Sequence, residues 1–489
     1  MAESTATESR RFAPELPSKY LPAVPYRDLP EPRRLRNYIG ASVIITATAL
    51  GSGELVLWPY ITSQVGLGLV WLAVLGITMQ YFLNMEVERY TLITGETAVT
   101  GFSRLWLPWG VVFVLGALLP NTWPGWASSG ATEFTFIFGL ESSAVPVIAT
   151  IFLVSIGLAI TVSPVIYQTL EKAQGVMLIF VLAFVVMAIV VATDASAWTG
   201  TVTAIPQGVG DLPNSITALG AASLFGAIVF AGAGGANNLC QSNYIRDKGM
   251  GMGVNIPNIV SPITGEEVAA PSLGFMVPST AENERRWRRW WKIANQEQLI
   301  TFWFIGALLL VALSVLVFST VGVGKNVGEE LDFLQAEGRA LGSLIGPWFE
   351  VAFYVAGFLM LFSTNVGVVD YGSRLAGDSL KVTFLKKSEF WSESKVYITV
   401  AWLMIIVGSA IIWTGIEPVV LLVISSAGGG FVMAFYSVLL IVLNRRALPE
   451  FARLKGWRVP ILAFISFFYI AFSLFLIYQM ITQGPGSLA

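Results

Sequence analysis

Two apolar runs carry the groups that could do chemistry. The first is interrupted at Ala49-Leu50-Gly51-Ser52-Gly53-Glu54, the second at Gly232-Ala233-Gly234-Gly235-Ala236-Asn237-Asn238. Glycine weakens a helix by roughly 0.8–1 kcal/mol relative to alanine and accepts almost any backbone angle. A carboxylate at membrane depth is costly and faces a cavity or a partner rather than lipid. Unwinding at the first break would free carbonyls near Ala49 and Leu50, beside the Ser52 hydroxyl and the Glu54 carboxylate. Unwinding at the second would add carbonyls from Gly232 to Gly235 and the side chains of Asn237 and Asn238. These are hard oxygen donors with one fixed negative charge. They suit magnesium, manganese, an alkali ion or an organic ammonium group. The candidate binding set is therefore Gly51, Ser52, Glu54, Gly232, Gly235, Asn237 and Asn238, with Glu54, Asn237 and Asn238 as metal ligands. Two plainer readings compete: Glu54 caps a half-helix, and the glycines only let helices pack closely.

Other polar groups within apolar runs are less specific. Glu133 and the trio Ser363, Thr364 and Asn365 are candidates for a proton path or a coupling-ion site. Glu86, Glu88 and Arg89 close an apolar run and read as interfacial. The glycines after Ser425-Ser426 read as close packing. The chain has no histidine and one cysteine, Cys240. This removes the commonest general base, the commonest transition-metal ligand and any intrachain disulfide. An enzyme is not expected, nor is a cofactor.

The elements that must position these groups are membrane helices. Hydrophobic residues make up 55% of the 489 residues and charged residues 12%, with mean hydropathy +0.69. A soluble domain carries about twice that charged fraction. With a net charge of −2 there is no basic field for nucleic acid. Apolar runs of about 20 residues, enough to cross a bilayer, fall near 37–60, 67–90, 109–138, 145–165, 171–193, 215–247, 293–321, 348–375, 396–413, 418–443 and 459–481. The spacing predicts an all-α integral membrane protein of eleven spans, with the two breaks in spans 1 and 6. With the N-terminus inside, the outer loops hold only Lys325 and Arg339, leaving 27 of the 29 basic residues on the inner side. That asymmetry predicts a multi-pass inner-membrane protein with a cytoplasmic N-terminus and an extracytoplasmic C-terminus. Residues 1–36 are polar and proline-rich and read as a flexible cytoplasmic tail, followed by one transmembrane domain over 37–489. The Arg/Trp run from Arg285 to Lys292 suits the headgroup layer. In the outer loop 322–347, Glu329 to Leu344 could form a short surface helix.

At the two breaks the chain resembles the Nramp family of divalent metal transporters, within the amino acid-polyamine-organocation superfamily. Gly51-Ser52-Gly53-Glu54, followed by Gly66 and Trp71, falls in register with that family's Asp-Pro-Gly-Asn motif and its downstream Gly and Trp. Asn238-Leu239 matches the Asn-Leu after the family's Met-Pro-His. Leu170-Glu171-Lys172 and Leu375-Ala376-Gly377 are supporting matches. The resemblance implies the LeuT-type fold, with spans 1–5 and 6–10 as inverted repeats and span 11 extra. The departures fall on the metal site. The family's binding Asp stands as Gly51, its Asn as Glu54, its methionine as Gly235 and its histidine as Asn237, and the paired acids of span 3 are absent around Trp126 to Gly130. Losing the thioether removes the soft donor. The expected activity is secondary-active transport of a hard cation, magnesium or manganese, between spans 1 and 6. The alternatives are carriage of a small amine or amino acid, for which Gly51 and Gly235 would enlarge the cavity, and a non-transporting receptor. The partners expected are the lipid bilayer and the transported cation or solute.

Overall fold

The structure, a computed structural model, describes residues 16–264, 273–324 and 331–483. Among these residues, nine helices are long and apolar enough to cross a membrane. They are span 1 (Ala41–Val65), span 2 (Leu67–Thr94), span 4 (Ser142–Val162), span 5 (Ile166–Ala192), span 7 (Ala281–Thr320), span 8 (Pro347–Thr383), span 9 (Glu393–Ile412), span 10 (Pro418–Arg446) and span 11 (Arg458–Thr482). The two remaining expected segments are divided. Span 6 consists of Ala221–Val229 and Asn237–Asp247, preceded by Leu212–Leu219, which meets the first half at a 98° bend. Span 3 consists of Trp109–Leu118 and Gly125–Phe138. Its interruption was not expected, and it has a simple cause. Pro120 and Pro124 lack N–H donors and end a helix. Asn121 repairs part of the gap, donating to the Ala117 carbonyl at 2.7 Å and accepting from Ser425 Oγ of span 10 at 3.3 Å.

Burial orders the bundle. The apolar stretch of span 1 is 94% buried within the protein, against 28% for spans 4 and 5. Span 1 is thus central, and spans 4 and 5 turn side chains such as Ile151, Leu158, Val176, Ile179 and Val190 outward. Outward apolar faces of this extent need lipid against them.

Span 1 departs from expectation at its centre. It does not unwind at Gly51-Ser52-Gly53; the helix runs on from Ala41 to Val65, widened into a π-helical stretch over Leu50–Leu57. The glycines serve close approach instead. A Cβ on Gly51 would stand 2.7 Å from Thr364 Oγ1 of span 8, and one on Gly53 only 1.8 Å from the Phe230 carbonyl oxygen. The span 6 break is real, with Gly232, Gly234 and Gly235 at positive φ (106°, 66° and 55°).

On the side of the N-terminal segment, residues 16–34 pack against the bundle rather than hanging free. Leu16, Leu21 and Leu29 are buried. Arg104 forks onto Glu96 and donates to the carbonyls of Pro17, Leu21 and Pro22. The Arg/Trp run holds this segment too. Trp290 Nε1 donates to Pro30, Arg286 donates to the Leu29 carbonyl, and Arg289 pairs with Glu31. At the far end, Asp332–Ile345 forms the expected short helix ahead of span 8.

Candidate functional site

Glu54 lies on the π-helical stretch of span 1, fully buried, with no side chain bonded to either carboxylate oxygen and only backbone amides, its own and that of Gly232, within reach. The backbone of Gly232 at the span 6 break faces it. From span 7, Gly306 approaches so closely that a Cβ there would lie 4.0 Å from Glu54 Oε1. The local chain explains the placement. A π-helical turn is wider than an α-turn and rotates the residues beyond it, while Gly53, without a side chain, lets span 1 close onto Phe230.

Carbonyls just ahead of the span 6 break are taken, though those expected from Gly232 to Gly235 are not among them, and the residue that takes them was not foreseen. Gln80 of span 2 donates its amide to the carbonyls of Val229 (2.7 Å) and Ala231 (2.8 Å), and its Oε1 accepts from the Gly234 amide at 2.8 Å. Asn238 Nδ2 reaches the same oxygen at 3.4 Å. Trp58 Nε1 caps the Ala227 carbonyl at 2.9 Å. The break is stitched by side chains, as backbone away from water must be. The sequence signal for Gln80 was an amide within an apolar run, which names no partner.

The remaining candidates divide. Asn237 and Asn238 open the second half of span 6, each with a buried Oδ1 that lacks a partner. Ser52 sits beside Glu54 in the chain, and its hydroxyl turns back to the Ala49 carbonyl at 3.4 Å. Thr364 accepts the Gly51 amide at 2.8 Å and donates to its own helix at Met360. Ser363 offers its carbonyl to Gln174, while Ser363 Oγ and Asn365 Nδ2 have no partner. Gly235 does not enlarge a cavity, because a Cβ there would come within 2.9 Å of the Gly429 Cα of span 10. Glu133 belongs to another locality. It faces Gly357 of span 8 and feels the charge of Glu337 on the short outer helix. A cavity of about 740 Å³ opens between Thr132, Thr135, Gln335, Glu350 and Tyr354. Among the described residues, no three His, Cys, Asp or Glu side chains converge on one point. Glu54 is thus a lone carboxylate among neutral oxygens.

This assembly, with a broken span 6 crossing a central span 1 around a buried carboxylate, is that of a LeuT-type transporter fold. The chain matches the family model of natural resistance-associated macrophage protein-like proteins over residues 42–479, and it belongs to the Nramp family. No curated protein matches it. Two variants of the manganese transporter of Eremococcus coleocola superpose on it with TM-score 0.62 at 11% and 12% identity, covering 94% and 95% of this chain and 92% and 97% of theirs. MhsT in complex with L-phenylalanine superposes with TM-score 0.54 at 12% identity, over 93% of this chain and 99% of that one.

Proposed function

We propose that the chain is a secondary-active transporter that carries a hard cation, magnesium or manganese, by alternating access, driven by the membrane potential or an ion gradient. Glu54 is the principal charged ligand, and Ser52, Asn237 and Asn238 supply neutral oxygens. The observation that carries this reading is the Glu54 carboxylate, fully buried beside the span 6 break with backbone amides near it and no basic or other side-chain partner among the described residues. A buried charge without a partner is expensive, and a cation guest removes that cost. Hard donors without sulfur or imidazole disfavour soft metals. The family supports the reading, and so does the fold shared with a manganese transporter. Carriage of an organic amine is disfavoured because Thr364 and Gly429 fill the room that Gly51 and Gly235 were expected to leave. The basic-residue asymmetry supports an inner-membrane location with the N-terminus in the cytoplasm.

Manganese and magnesium uptake into proteoliposomes, measured with wild type and Glu54→Gln, tests it. Glutamine keeps shape and hydrogen bonding but not charge, and a charge-assisted contact is worth about 1.5–3 kcal/mol. Apparent affinity should weaken roughly tenfold to a hundredfold. Unchanged affinity with a lower melting temperature would reduce Glu54 to a structural role and overturn the assignment.

A further inference from the structure

Glu88 was expected at the membrane interface, next to Arg89. The structure buries it inside the bundle, 1% exposed, while Arg89 turns away to pair with Glu86. Glu88 of span 2 meets Gln241 of span 6, whose Nε2 donates to Glu88 Oε1 at 3.0 Å and to Ser42 Oγ of span 1 at 3.0 Å. Ser42 in turn gives both its amide, at 3.1 Å, and its hydroxyl to Glu297 of span 7. Two buried carboxylates are thus joined through an amide and a hydroxyl, and each feels the other's charge. Among the described residues no basic side chain pairs with either; Arg458, whose charge Glu88 feels, is spent on Glu86 and Asn295.

Three oxygens around Glu88 remain unpartnered and buried: Glu88 Oε2, Gln241 Oε1 and Gln298 Oε1. Gln298 of span 7 turns its amide to Glu88 within hydrogen-bonding reach, and its Oε1 stays buried without a partner. A buried amide oxygen without a partner costs about 1–3 kcal/mol, and neither carboxylate has a basic side chain to compensate it when ionised. An oxygen-only donor set selects a hard cation. Magnesium keeps several waters and gives them up reluctantly, which a fully buried set of side chains does not allow. An alkali ion exchanges its hydration shell for carbonyl-type oxygens far more readily.

We infer that Glu88 with the side-chain oxygens of Gln241 and Gln298 forms a second cation site, separate from Glu54, that takes a dehydrated alkali ion such as sodium, with Glu297 supplying the second negative charge. The site draws on spans 2, 6 and 7, and Ser42 ties it to span 1. Its occupancy therefore stiffens the four spans that surround Glu54 and its break. Existence of the site does not depend on what Glu54 carries.

Thermal unfolding of the purified full chain in sodium chloride against choline chloride, at equal ionic strength and fixed pH, tests the assignment. Sodium should raise the melting temperature of wild type in a saturable way. Glu88→Gln should weaken apparent sodium affinity about tenfold or more. Gln298→Leu, which keeps the bulk and removes the donor oxygen, should weaken it too and guards against misfolding of the charge variant. Glu54→Gln should keep the sodium shift while losing any manganese shift, so the failure of one site is distinguishable from the failure of the other. Equal melting in sodium and choline would overturn the inference, as would a sodium shift that survives in both Glu88→Gln and Gln298→Leu. A response to pH alone would also overturn it, by making the guest a proton.

Discussion

Gln80 shows how much one neutral side chain can settle in a membrane interior. It satisfies two carbonyls and one amide of the span 6 break, three backbone groups that would otherwise be buried and unpaired. Leaving even one such group unsatisfied costs about 1–3 kcal/mol. Gln80→Leu should therefore destabilise the protein by at least about 2 kcal/mol, read as a lower melting temperature. It should also raise hydrogen exchange at the amides of residues 230–236. Exchange unchanged in that segment would show that other groups hold the break. At this scale the sequence was half legible. Glu54 stood out because a carboxylate in an apolar run is conspicuous, whatever it contacts. Gln80 and Gln298 did not, because a neutral amide in a span gains meaning only from a partner more than 100 residues away. Glu88 was misplaced for a related reason: its neighbour Arg89 suggested a surface, whereas Arg89 is satisfied by Glu86 in the same turn and by the carbonyl of Ala452.

At the scale of the element, apolar run length located nine spans but could not show what happens inside a run. Pro120 and Pro124 divide span 3 although the run around them is long enough to cross. Gly51-Ser52-Gly53 is equally compatible with unwinding and with close packing, and the packing partners, Thr364 and Phe230, lie far along the chain. Close approach makes a graded prediction. Gly53→Ala would drive a Cβ into the Phe230 carbonyl at 1.8 Å, backbone against backbone, with no flexible group to yield. Gly130→Ala of span 3 meets only ordinary contact, 3.4 Å from Leu361 Cβ. The first should abolish a folded, monodisperse product, and the second should melt within a few degrees of wild type. Comparable behaviour of the two would show that spans 1 and 6 are not in contact at Gly53. The outer helix Asp332–Ile345 carries a titration of its own. Burial pushes the Glu337 carboxyl up to about 8. The folded protein then holds a proton that the unfolded chain releases near its ordinary value of 4.5. Stability from this group is full below about 4.5, falls as pH rises towards about 8 and is level above it. Hydrogen-exchange protection over residues 331–345, taken relative to the intrinsic rate at each pH, should fall across that window in wild type and stay level in Glu337→Gln.

At the scale of the whole molecule, long-range ion pairs join the N-terminal segment to the bundle. Proline spacing and polarity read residues 1–36 as a tail, but the side chains that hold 16–34, Arg104, Asn283, Arg286 and Trp290, lie 80 to 260 positions away. Arg104→Ala would leave Glu96 buried without its guanidinium and free three carbonyls of the segment. Removing one partner of a buried pair costs about 3–5 kcal/mol. Limited proteolysis should then cleave within residues 16–34 in the variant and spare them in wild type, and equal resistance would show the segment to be held elsewhere.

Span 7 is one rod from Ala281 to Thr320, forty residues long. At 1.5 Å per residue that is about 60 Å, twice the hydrocarbon thickness of a bilayer. About half the rod must therefore stand outside the lipid as a mast, its foot wrapped by the proline-rich segment through Trp290 and Arg286. The π-helical stretch Leu299–Phe304 lies where mast meets membrane, immediately after Glu297 and Gln298. Trp290 and Arg286 grip the proline-rich segment while Glu297 grips Ser42, so this one rod splices the far N-terminal segment to the first turn of span 1.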